Sequence, residues 1–232
     1  LRSEGRYSEA AEIWKELLAI AEKVFGPDHP NVATSLNNLA LLLSNQGQYA
    51  EAEPLYRRSL SIKEKILGAN HPDVALSLSN LAGLLFHQGK YSVAESLFRR
   101  SLAIYEKALG PDHPDVATSL NNLALILHRQ GQYPAAETLY RRSLSIKEKA
   151  FGRNHPDVAL SLNNLAELLT EQGQYAAAEP LFRQALVIDE KVLGNDHPDI
   201  ANILNNMALL LSSQGRYSAA ESLYRRSLTI KE

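Results

Sequence analysis

Apolar residues along the chain recur three and four positions apart, in stretches closed by glycine or by a His-Pro step. That spacing puts them on one face of a helix with 3.6 residues per turn. "PDVATSLNNLALILHR", from Pro114, is one such stretch; "YPAAETLYRRSLSIKEKAF", from Tyr133, is the next. The pattern predicts alternating helices of two kinds. The first kind begins at proline, whose fixed φ and missing N–H suit the first helical position, and the preceding His is driven out of the α region. Asp73, Asp115, Asp157 and Asp199 follow those prolines and favour the positive end of the helix dipole. This helix is expected to stop at the glycine of "QGQY" or its variants. The second kind runs from about Tyr49 to Leu67 and ends at Gly68, Gly110, Gly152 or Gly194. Pro54 and Pro180 fall just past its first turn, where they cost some backbone bonding.

The pattern repeats every 42 residues. His29-Pro30, His71-Pro72, His113-Pro114, His155-Pro156 and His197-Pro198 mark the period, and Tyr49, Tyr91, Tyr133, Tyr175 and Tyr217 keep it. Residues 30–71 and 114–155 differ at ten of 42 positions, which points to duplication. The chain divides into a half unit at 1–29, full units at 30–71, 72–113, 114–155 and 156–197, and a last, shortened unit at 198–232. It starts at Leu1 rather than Met and runs straight into the motif, so a segment of a longer protein is expected.

The run Gly131, Tyr133, Ala136, Tyr140, Ser143, Leu144 resembles the tetratricopeptide repeat. With "LNNLA", "YRRSL" and "LGxxHPDVA", the 42-residue unit is similar to the variety found in kinesin light chains and their bacterial relatives. The resemblance covers the whole chain. It implies an all-α, right-handed superhelical solenoid of antiparallel hairpins, about eleven helices forming one array over 1–232. It also implies a non-enzymatic scaffold whose first helices line a concave, peptide-binding groove. Tyr56, Phe98, Tyr140, Phe182 and Tyr224 are expected to pack between paired helices.

Against that background the amides need a reason. Asn37-Asn38, Asn121-Asn122, Asn163-Asn164 and Asn205-Asn206 sit mid-helix, with Ser79-Asn80 in the remaining copy, although Asn is a poor helix former. A wheel at 100° per residue places Ser119, Leu120, Leu123, Ala124, Ile126 and Leu127 on an apolar arc. Thr118, Asn121, Asn122, Leu125, His128 and Arg129 fall opposite, and are expected to be exposed on the implied groove. The copies also differ most on that arc, as at Thr34, Leu76, Thr118, Leu160 and Asn202. An amide offers two donors and an acceptor, so a ladder of them could hold an extended peptide backbone. The other reading makes each Asn a bond to the neighbouring repeat. For Asn38, Asn80, Asn122, Asn164 and Asn206 both readings stand; the preceding position is assigned to the groove. Phe86, Leu125 and Leu41 would supply apolar contact, His87, His128 and Arg129 would favour acidic groups, and Glu167 and Glu171 basic ones. A peptide with acidic and basic parts around a bulky apolar residue fits that polarised groove.

Composition narrows the alternatives. Net charge is −2, from 24 basic and 26 acidic residues, which gives no bulk pull toward nucleic acid or anionic membrane. The Arg pairs, such as Arg57-Arg58 and Arg141-Arg142, follow Glu53 and Glu137 by four residues and read as solvated ion pairs. No cysteine is present, which fits a reducing, cytoplasmic setting, and no apolar run approaches the ~20 residues of a membrane span. The periodic His residues occupy separate loops, too far apart for one metal ion. No phosphate loop, nucleophile elbow or H-E-x-x-H pair is present, so neither catalysis nor a cofactor is expected. The rival to peptide binding is weak self-association, with open repeat ends stacking head to tail.

Overall fold

A computed structural model describes residues 2–231 of the chain, and the side chains of residues 10–230. Leu1 and Glu232, at the outer edges of the first and last repeat segments, lie outside the described residues. The described residues form eleven helices and no strand. They are α1 (Arg2–Phe25), α2 (Pro30–Asn45), α3 (Tyr49–Leu67), α4 (Pro72–His87), α5 (Tyr91–Leu109), α6 (Pro114–Arg129), α7 (Tyr133–Phe151), α8 (Pro156–Glu171), α9 (Tyr175–Leu193), α10 (Pro198–Ser213) and α11 (Tyr217–Lys231). Two compact units divide them, Leu1–Pro111 with α1 to α5 and Asp112–Glu232 with α6 to α11.

Each even-numbered helix starts the same way. His29, His71, His113, His155 and His197 are extended N-caps, and each imidazole Nδ1 accepts the backbone N–H two residues on, at 3.1–3.3 Å. The His-Pro step is thus a complete start signal: proline sets φ, and the ring satisfies an amide the helix leaves unpaired. At the other end Gly47 adopts a φ of 75°, a conformation that side-chain-bearing residues seldom take.

Each even-numbered helix packs antiparallel on the odd-numbered helix after it. Within a hairpin, Val, Ala and Leu of the first helix and the aromatic residue of the second are buried, as at Val116, Ala117, Leu120 and Tyr140. Tyr56, Phe98 and Phe182 are buried at the same register. Tyr224 is not; it is 42% exposed, since no described helix packs over that face of α11. A buried serine ties four of the five pairs. Ser59, Ser101, Ser143 and Ser227 donate to the carbonyls of Ala33, Ala75, Ala117 and Ala201 at 2.7–2.9 Å. In α9, buried Ala185 takes that place and the bond is missing.

The outer charges link repeats as well as turns. Arg57, Arg99, Arg141 and Arg225 bind the glutamate four residues earlier, as expected. Their neighbours reach further. Arg58, Arg100 and Arg226 bind Glu22, Glu64 and Glu190 of the preceding repeat at 2.5–2.6 Å.

Candidate functional site: the amide face of the first helices

Within each unit the first helices of successive repeats also touch one another, α2 on α4, α6 on α8 and α8 on α10. The asparagines lie on those lines. Asn80 Nδ2 donates to Asn37 Oδ1 at 2.9 Å, Asn164 to Asn121 at 3.1 Å, and Asn206 to Asn163 at 3.1 Å. The second amide of one repeat therefore reaches back to the first amide of the repeat before it. Where Ser79 replaces the first asparagine, its hydroxyl lies 2.8 Å from Ser101 Oγ. Ser101 gives its only hydrogen to Ala75, so Ser79 must be the donor there.

Two expectations are corrected by this geometry. Asn121 and Asn163, assigned to an open groove, are 7% and 8% exposed. A wheel describes one helix alone, and the neighbouring first helix covers the edge of the arc that carries these residues. The amides bond between repeats; each pair spends one N–H and one carbonyl lone pair and keeps the rest. Asn37, Asn38, Asn80, Asn122, Asn164, Asn205 and Asn206 are half-buried.

His128, also expected to be exposed, is 2% exposed. Its ring meets Tyr133 and Tyr140 edge-on, with centroids 5.8 and 6.3 Å apart, and its Nε2 lies 2.9 Å from the Glu171 carboxylate. That contact is close but not aligned as a hydrogen bond, since both ring nitrogens lack partners. Arg129 stays exposed and lies 3.6 Å from Glu167. Arg129 and the His128 ring of α6 thus face the carboxylates of α8, and the Arg129 and Glu167 charges expected to read a ligand partly neutralise one another. In the first unit, exposed His87 stacks on Tyr49, and half-buried Phe86 packs against Tyr91. Leu125 is half-buried. Leu41 is exposed, as are Leu76, Leu160 and Leu209 on the same kind of face.

Sequence reasoning passed over one site. Between α8, α9 and α10 lies a cavity of about 460 Å³, lined by Asp157, Glu167, Asp189 and Asp199 with the amides of Asn163, Asn164, Asn202, Asn205 and Asn206. Asp189 is 3% exposed, and its Oδ1 has no hydrogen-bond partner. Burial, reinforced by the Asp199 carboxylate and opposed by His197, pushes its acid up to about 6. The available signal was a comparison down the period, where the same register reads Lys63, Tyr105, Lys147, Asp189. Among the described residues no group of three or more His, Asp or Glu is gathered to hold a metal ion. None of their helices is long and apolar enough to cross a membrane.

Paired helices repeating every 42 residues, with first helices side by side, define a helix-hairpin repeat protein. The chain belongs to the tetratricopeptide repeat family, whose model matches residues 1–65, 34–107, 73–149, 115–191 and 157–232. Proteins of that family are in general protein-interaction scaffolds. Among solved structures, the chain is similar to BtubC (BKLC) from P. vanneervenii, with 24% identity over 98% of this chain and 90% of that one, at a TM-score of 0.78. A kinesin light chain-like protein of Podosopora anserina with nearly identical TPR-like repeats shares 28% identity over 88% and 96%, at 0.71. The apo form of RapI has the same fold at 17% identity over 97% and 91%, with a TM-score of 0.72. No curated protein matches the chain in sequence at a significant level.

Proposed function

We propose that this chain is a non-enzymatic scaffold that binds an extended or short helical peptide of a protein partner on the face of its first helices. The observation that carries the reading is the exposure of Leu41, Leu76, Leu160 and Leu209 there, beside amides committed to bonds between repeats. A rigid helical face with isolated apolar anchors and spare amide groups suits a peptide, whose backbone needs donors and acceptors and whose side chains need apolar contact. The unbroken 42-residue spacing supports reading residues 1–232 as one array. The near-zero net charge and the ion-paired arginines support a partner that is neither nucleic acid nor membrane, and the lack of cysteine supports a cytoplasmic setting.

Selection of random peptides on the purified chain tests the reading. Selected peptides should bind Leu76→Glu or Leu160→Glu variants at least about tenfold more weakly, as expected for losing an apolar anchor. Binding that survives both changes overturns it. A second reading, end-to-end association, is favoured by the exposed Ile13, Ile20 and Val24 of α1 and the exposed Tyr224 and Leu228 of α11. Sedimentation across a concentration series decides it, because a chain that stays monomeric at high concentration excludes it.

A further inference from the structure

The compartment between α8, α9 and α10 differs from its counterpart one repeat earlier. There, between α7 and α8, Lys147 is buried, and its Nζ donates to the Asp157 carbonyl at 3.4 Å. Lys147 and Asp157 are ten residues apart, as are Asp189 and Asp199, so the two pairs occupy one register. Lys63 stands ten residues before Asp73 in the first unit and interacts with it in the same sense. At these places the protein supplies its own ammonium to an acidic helix start. At Asp189 the ammonium is replaced by a second carboxylate.

The result is a cavity with four carboxylates on its lining and no Lys, Arg or His. Its deepest acid has an enclosed oxygen without a partner. Buried polar atoms rarely stay unpaired, and a buried carboxylate on the lining of a cavity of this size can take a donor from outside. We propose that the compartment is a subsite for one cationic side chain, the ammonium or guanidinium of a partner's lysine or arginine, held by Asp189 and Asp199. The assignment rests on the peptide-binding reading and gives it a chemical preference. A metal ion fits poorly, since the described carboxylates are not gathered as a ligand set. A long cationic side chain fits well, because its stem can lie along Leu160 and Ile203 while its N–H groups meet dispersed oxygens. Asn206 has given an N–H to Asn163 and keeps its Oδ1 to accept. The lining carboxylates beside Asp189 are Asp157 and Glu167 of α8 and Asp199 of α10; the His197 cap acts on Asp189 from outside the lining, Arg129 lies 3.6 Å from Glu167, and Lys147 binds the Asp157 carbonyl. A raised Asp189 acid matches such a site, since binding the cation would expel a proton.

The test uses the whole chain and two probes, Nα-acetyl-lysine methylamide and its norleucine counterpart, followed by NMR at the Asp189 carboxyl carbon and the Asn202 and Asn206 side-chain amides. At pH 7.5 the lysine compound should give saturable shifts and the norleucine compound none. Affinity should fall about tenfold by pH 5, one unit below the Asp189 midpoint. Asp189→Asn should weaken binding, and Asp189→Lys, which restores the residue of the earlier repeat, should abolish it. Equal shifts from both probes, or undiminished binding to Asp189→Lys, overturn the proposal. Degenerate peptide pools with a fixed central lysine or norleucine separate it from the reading beneath it. Retention of the lysine pool alone, lost in Asp189→Lys, supports both. Equal retention of the two pools sinks the subsite and leaves the groove. Shifts from the lysine probe with no pool retained sink the groove and leave the subsite.

Discussion

The place where Lys147 is buried and the cavity that Asp189 lines share much of their surroundings. Both are roofed by an amide pair between first helices, Asn164 with Asn121 and Asn206 with Asn163. Both are flanked by a His-capped helix start carrying an aspartate, and both rest on buried Val or Ile, Ala and Leu. Reversing the charge of one side chain replaces an internal cation by an acid on the lining of a cavity. Packing residues are held in place by many neighbours at once. A single charge lining a cavity is not, so duplicated repeats can change their chemistry there without changing their fold.

The sharpest way to break this comparison is to give the Lys147 site the residue of the Asp189 site. Lys147→Asp would place an unpaired carboxylate in a buried site beside Asp157, and should cost about 3–5 kcal/mol of unfolding free energy at pH 7.5. Urea unfolding measures it, and a neutral outcome would show that the two sites are not equivalent. The reverse change is gentler. The Asp189 acid lies near 6 in the folded chain against 3.8 ordinarily, so the folded state holds its proton more tightly than the unfolded state. Stability from this group is therefore full below about pH 4, is lost as the pH rises toward 6, and stays lost above that. Asp189→Asn should accordingly gain about 1–3 kcal/mol at pH 8 and nothing at pH 4. Equal gain at both pH values would trace the effect to something other than charge. The smallest effects are expected where the compartments agree. Asn164→Ala and Asn206→Ala should each cost about 0.5–1.5 kcal/mol, in equal measure. If one costs nothing, the amide bonds are not alike.

Much of the fold was legible in the residues. His-Pro starts, glycine stops, the buried Tyr140 and Phe182, and the Glu53–Arg57 type of pair all follow from spacing within one or two turns. What escaped depends on the next repeat. A wheel for α6 put Asn121 and His128 outside, yet Asn164, Tyr133 and Glu171 enclose them. The four-residue spacing paired Arg57 with Glu53 of its own helix but could not show that Arg58 reaches Glu22. The repeat register counted Tyr224 as core because its equivalents are, although no described helix covers that face of α11. The periodic His was read as a helix boundary, and the role of its ring nitrogen as the cap acceptor came only with geometry. Asp189 drew no notice because a lone aspartate on a helix is ordinary, and only its register against Lys63 and Lys147 sets it apart.

One measurement bears most directly on the claim that the fourth full repeat carries an acidic site for a cation. It is the pH titration of the Asp189 carboxyl carbon in the free chain and in the presence of saturating Nα-acetyl-lysine methylamide. The free chain should titrate near pH 6, and the amine should draw the midpoint down as it favours the ionised acid. A midpoint near the ordinary 3.8 in the free chain, unmoved by the amine, would contradict the account.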